Sequence, residues 1–240
     1  MDSVQPTDRS RRQRIVTRPA DRAARRTTVP SWLVGAKALL AALLVVGAAF
    51  PAVGGFEGKG MVVRLPLFLL PSLVVPVMWL RQQGARSYAV ALDAALTIPF
   101  LLDTAANGVG LYDHVDATDD VLHFVNWIVL MGGITAHLVG TAAGSRSAPA
   151  ITWMAGAGLG AVLIIGWEVA EYGVMQLGVD NLSLTYGDTL GDLVLSTLGG
   201  AVGAAWAVRR ARAPHPPVVD GTVGVVDDAR TAARGPAQDV

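Results

Sequence analysis

The chain has 240 residues and a mass of 25.0 kDa; 52% of its residues are apolar, only 16% are charged, and its mean hydropathy is +0.46. Soluble domains carry about 25% charge, and here the apolar residues gather into long blocks, so composition excludes a soluble globular enzyme and makes lipid the solvent for most of the chain. The absence of Cys removes disulfides, thiolate metal sites and Cys nucleophiles, and the net charge of zero sums opposed regions: eight Arg against three Asp in residues 1–30, ten carboxylates against Arg146 alone in residues 103–192.

Residues 1–30 are polar, Arg-rich and interrupted by Pro6, Pro19 and Pro30, the composition of a disordered tail, expected in the cytoplasm. Ser10-Arg11-Arg12 has the look of a twin-arginine export signal, but the apolar stretch that follows is too long for a cleaved signal, so retention in the membrane is expected. Seventeen of the 19 basic residues are Arg, a bias that fits a GC-rich bacterial genome.

Six apolar segments follow, at 31–53, 61–80, 87–106, 121–141, 149–173 and 187–208. Each approximates the ~20 residues that a helix rising 1.5 Å per residue needs to cross about 30 Å of hydrocarbon. Segment two carries Pro66, Pro71 and Pro76, with Arg64 in its outer turn; such prolines kink a membrane helix without abolishing it when neighbours satisfy the freed carbonyls. The connections alternate in charge. Arg81 and Arg86, Arg146, and Arg209, Arg210 and Arg212 fall on the side of the amino-terminal tail, which predicts both termini in the cytoplasm. The other connections carry Glu57 and Lys59, Asp113 to Asp120, and Asp180 to Asp188, and are expected to face outward. Residues 209–240 read as a second disordered cytoplasmic tail, so the domain expectation is a tail, a six-span membrane domain over 31–208, and a tail. The fold class expected is an all-α polytopic transmembrane helix bundle in a cell membrane.

Charged groups inside an inserted helix cost about 2.5–3.5 kcal/mol at its centre and persist mainly beside a cavity or a partner. Helical spacing in segment four puts Asp119, His123, Asn126, Gly133 and His137 on one stripe. Segment five places Glu168 and Glu171 at i and i+3; segment six places Asp188 and Asp192 a turn apart, with Ser196, Gly199 and Gly203 continuing that face. With Asp103 at the outer end of segment three, these residues predict an outward-opening pocket lined by Asp103, Asp119, Asp120, His123, Asn126, Glu168, Glu171, Asp188 and Asp192, with Tyr172 and Gln176 as neutral neighbours; Asp93 should lie deeper and His137 toward the cytoplasm. So many carboxylates cannot all remain ionised together; some are protonated, or a cation or basic ligand neutralises them. A divalent metal is the cofactor this pattern allows, with His123, Glu168, Asp188 and Asp192 as ligands, and oxygen-rich sites with one imidazole favour Mg²⁺, Mn²⁺, Ca²⁺ or iron over structural zinc. The competing reading makes the same carboxylates interhelical hydrogen-bond partners that fix packing.

Other motifs carry less. Gly54 to Gly60 lacks the Ser or Thr that follows the Lys of a phosphate loop and reads as an outer turn. Gly156 with Gly160, and Gly199 with Gly203, have the small-residue spacing of close helix contact. The amino-terminal Arg run reflects topology and attraction to anionic lipid rather than nucleic-acid binding.

The order Asp119-Asp120-Val-Leu-His123-Phe124, then Trp167-Glu168-Val-Ala-Glu171, then Gly187-Asp188-Thr-Leu-Gly191-Asp192 resembles the YjdF-like family of small bacterial inner-membrane proteins and, more distantly, VanZ-like membrane proteins, over residues 87–208. The resemblance implies a multi-pass protein without an established reaction, in a lipid or cell-envelope context, with Asp120, His123, Glu168, Asp188 and Asp192 as signature polar residues; either Asp119 or Asp120 suits the first position. Three functions remain open on the sequence: a membrane-embedded site for a divalent cation or polar lipid headgroup, a non-catalytic scaffold or regulator, and a proton- or cation-coupled transporter.

Overall fold

The computed structural model describes residues 29–82, 87–176, 179 and 185–213; residues 1–28 and 214–240 of the two expected tails lie outside the described residues, as do Arg86, Asp180 and Asn181. The elements in chain order are α1 (Ser31–Ala49), α2 (Met61–Arg81), α3 (Val90–Ala95), α4 (Ile98–Gly108), α5 (Leu111–His114), α6 (Thr118–Gly140), α7 (Ala142–Arg146), α8 (Pro149–Gln176) and α9 (Tyr186–Arg212), with no strand among the described residues. Six spans are long and apolar enough to cross a membrane: α1, α2, α3 with α4, α6, α8 and α9. The chain is therefore an all-α polytopic helix bundle.

Span three differs from the single helix that its hydropathy predicts. It breaks at Leu96-Thr97, because Pro99 has no N–H to reach the Ala95 carbonyl and its ring crowds that turn. The Thr97 hydroxyl covers part of the break by donating to the Asp93 carbonyl at 2.8 Å. Segment one stops at Ala49 rather than running to residue 53, just before Pro51, whereas α9 continues past the expected residue 208 to Arg212.

Helix α2 stays continuous through Pro66, Pro71 and Pro76. Pro76 leaves the Ser72 carbonyl without its helical donor, and the Lys37 ammonium of α1 donates to that oxygen. The same ammonium pairs with Asp93 Oδ1 at 2.6 Å, and the Tyr88 hydroxyl donates to Asp93 Oδ2. One cation thus repairs a proline defect and neutralises a carboxylate whose exposure is 0%. Burial and the neighbouring Asp93 push the Tyr88 phenol above its ordinary pKa, which keeps it a donor.

Helices α6, α8 and α9 form the tightest part of the bundle. Gly199 and Gly203 of α9 lie against the Phe124 and Ile128 carbonyls of α6, so close that a Cβ at either position would strike backbone. Gly156 and Gly160 of α8 fit against Thr135 and Met131 of α6. Small residues serve this purpose in lipid, where association rests on close van der Waals packing rather than on the hydrophobic effect. Outward faces are apolar, with Val62, Val162, Val169 and Leu198 among the exposed side chains.

Candidate functional site

Helix α6 begins with Asp119 and His123 one turn apart, and α9 carries Asp192 and Ser196 at the same spacing. Because Gly199 draws α9 against the backbone of α6 one turn further along, the two pairs meet. His123 Nε2 lies 3.6 Å from Asp119 Oδ1 and 3.6 Å from Asp192 Oδ1. His123 Nδ1 shares a 3.0 Å hydrogen bond with the Ser196 hydroxyl. Ligand atoms of Asp119, His123 and Asp192 all fall within 4.8 Å of one another. Ligands bound to one hard cation at about 2.0–2.6 Å stand roughly 3–4 Å apart, so the triad is near a coordinating arrangement. A proton on Nδ1, directed to Ser196, would leave the Nε2 lone pair for a metal held between the two carboxylates.

Glu168 arrives by a different route. The buried stripe of α8 is Thr152, Gly156, Gly160, Ile164 and Glu168, a strict four-residue repeat that seats the helix on its neighbours and ends on a carboxylate. Glu168 is 7% exposed, and neither of its oxygens has a hydrogen-bond partner of ordinary geometry among the described residues, although Thr189 lies beside it. A buried carboxylate without donors is costly unless a proton or cation compensates it. Its charge and that of Glu171 both reach Asp192. Asp188, whose backbone N–H is capped by Thr185 at 3.2 Å, has Asp119, His123 and Asp120 as charged neighbours. Exposed Asp120 lies over Gly191 of α9. The Asn126 side-chain oxygen is buried without a partner among the described residues.

The residues expected from sequence therefore divide. Asp119, His123 and Asp192 converge to ligand distance, while Glu168 and Asp188 of the anticipated ligand set stand beside that triad and outside it. Asp103 belongs to a second group: it accepts from Arg64 Nη1 at 2.6 Å, from the Tyr112 hydroxyl at 2.6 Å, and from the Asn107 amide at 3.4 Å. Glu171 has Arg64 as a charged neighbour. Tyr172 and Gln176 are exposed rather than placed among the carboxylates. Asp93 is deep and paired with Lys37, and His137 lies at the opposite end, where it lines a groove of about 760 Å³ with Tyr88 and Thr141.

Sequence reasoning undervalued Arg64, Tyr112 and Lys37. The signal was available for the two cations, since a basic residue inside an apolar run is itself a marker of a partner. Tyr112 had none, because the short helix α5 folds it back across Asp103. Burial and Asp103 push its phenol well above the ordinary value, so it remains a donor. Lys59 completes this end of the bundle by pairing with Asp113 at 2.7 Å, which holds the Asp113 carboxyl below its usual range.

Comparison with models of protein families, with curated proteins and with solved structures finds no match. The geometry is thus the basis for a functional reading.

Proposed function

We propose that the chain is a multi-pass membrane protein that holds a divalent cation between α6 and α9, with Asp119, His123 and Asp192 as ligands. The observation that carries this reading is the convergence of those three ligand atoms within 4.8 Å from two helices. Glu168 supports it, being a buried carboxylate beside the triad with no hydrogen-bond partner of ordinary geometry among the described residues. Two carboxylates and one imidazole form a donor set suited to Mn²⁺, Mg²⁺ or Fe²⁺, and a set of three leaves coordination positions for water or a polar headgroup.

The charge pattern supports an external address for the site. Arg81, Arg146, Arg209, Arg210 and Arg212 all belong to the end opposite the triad, which by the positive-inside rule makes the triad end external. The resemblance to YjdF-like and VanZ-like proteins agrees with a bacterial cell membrane and an envelope substrate. In a transfer or hydrolytic reaction the cation would polarise the bound group, and Glu168 or Asp188 would take the proton.

A second reading, cation- or proton-coupled transport, draws on the buried Lys37–Asp93 pair in the other half of the bundle, since intramembrane ion pairs often mark translocation routes. Purified protein in detergent, dialysed against Mn²⁺ and analysed for metal beside Asp192→Asn, tests the first reading. Wild type should retain a single ion per chain and the variant little; equally metal-free samples overturn it. Proteoliposomes loaded with a Mn²⁺-sensitive dye separate the two readings, since only a transporter moves the ion inward.

A further inference from the structure

Arg64 is a basic side chain beside the carboxylate layer, and its hydrogen bonding among the described residues is incomplete. Its Nη1 pairs with Asp103, and no other hydrogen bond from the guanidinium is present among the described residues. The side chain is 16% exposed, and its planar head lies over the Phe68 ring, 5.3 Å from the centroid. Guanidinium groups hold oxyanions best through two parallel N–H donors. Asp103 occupies Nη1 and is itself anchored by Tyr112 and Asn107, so among the described residues the edge formed by Nε and Nη2 carries no hydrogen bond, while the Phe68 ring lies against the plane.

That edge stands in an acidic neighbourhood. Asp103, Tyr112 and Glu171 are the charged or titratable neighbours of Arg64, and the charge of Arg64 reaches Asp119 of the triad. An anion could not settle among these carboxylates on the attraction of Arg64 alone, but it could bridge Arg64 and a divalent cation. A phosphate monoester suits this bridge, with two oxygens for the guanidinium edge and one for the metal, as hard cations held by few carboxylates commonly complete their shells with phosphate. Arg64 lies in the first turn of α2, about 4.5 Å along the axis from its start, and so near the end of the span on the triad side. The exposed faces of α2 and α8 at this end of the bundle carry apolar side chains, Val62 and Val169 among them. A phosphate arriving on a lipid tail would keep that tail in hydrocarbon.

We infer that Arg64 and the cation at Asp119, His123 and Asp192 together bind the phosphate monoester of a membrane lipid, Arg64 through its Nε–Nη2 edge and Asp103 as the residue that positions it. This rests on the cation site proposed above.

The test uses full-length protein in detergent loaded with Mn²⁺, with short-chain phosphatidic acid as the lipid probe and inorganic phosphate as the soluble one, followed by broadening of the ³¹P resonance. Bound Mn²⁺ should broaden the phosphatidic acid signal in wild type. Arg64→Gln should retain Mn²⁺ at wild-type stoichiometry and bind phosphatidic acid at least tenfold more weakly. Arg64→Lys, which keeps the charge but loses the fork, should fall between them and serves if the Gln variant does not fold. Equal binding by wild type and both variants overturns the inference and leaves the cation site standing. Failure of wild type to take up Mn²⁺ removes both. Inorganic phosphate binding as tightly as phosphatidic acid overturns the assignment to a lipid.

Discussion

His123 and Asp192, 69 residues apart in the chain, bring Nε2 and Oδ1 within 3.6 Å of each other between α6 and α9. The contact depends on the turns below it, where glycines of α9 let two helix backbones touch. Site and packing are therefore parts of one helix pair, which allows them to be perturbed separately.

Ser196 accepts no ligand role in this arrangement but fixes the His123 ring from Nδ1. Loss of such a supporting hydrogen bond typically weakens metal affinity about 10–100-fold. Ser196→Ala should therefore reduce Mn²⁺ affinity in that range, measured by calorimetry in detergent, while the melting temperature stays near wild type. Unchanged affinity would mean that the imidazole is oriented by packing alone.

Gly203→Ala should disturb the helix pair without touching a ligand. The added Cβ would meet the Ile128 carbonyl, which is backbone and cannot swing aside. Overpacking of this kind costs about 1–3 kcal/mol, read as a lower midpoint in thermal unfolding followed by the summed emission of the six tryptophans. Gly158→Ala on α8, where nothing lies near the glycine, is the control and should be neutral or slightly stabilising.

Lys37 serves two acceptors at once, the Asp93 carboxylate and the Ser72 carbonyl left open by Pro76. Removing one member of a buried pair usually costs about 3–5 kcal/mol, because the other charge stays behind unpaired. Lys37→Met should destabilise by that order, and Lys37→Met with Asp93→Asn should recover part of the loss. A double variant no better than Lys37→Met would show that the carbonyl contact, and not the ion pair, carries the effect.

At the loop end, the Lys59 ammonium favours the ionised form of Asp113. A carboxyl with a depressed folded pKa contributes stability above its unfolded value and loses that contribution as pH falls through the folded one. Acidification below the ordinary carboxylate range should therefore weaken the loop, and Asp113→Asn should flatten that limb of the pH–stability curve. The effect will be small and salt-sensitive, because Asp113 is exposed.

The helix periods made much of this legible in the sequence. Asp119 with His123, and Asp192 with Ser196, share faces by spacing alone, and the six apolar runs give the spans. Hydropathy could not register the break at Pro99, since a membrane window averages over a local loss of one hydrogen bond. Nor could spacing on single helices show that Asp103 turns to Arg64 and Tyr112 while Asp119 turns to His123. Those pairings come from contacts between helices distant in sequence, which no single-helix pattern contains.

Pulsed electron paramagnetic resonance of Mn²⁺ bound to protein carrying ¹⁵N-labelled histidine tests the cation site most directly. Wild type should show coupling to one histidine nitrogen, absent from His123→Gln and retained in His137→Gln. No nitrogen coupling in wild type, or coupling that survives loss of His123, would contradict a metal bound between α6 and α9.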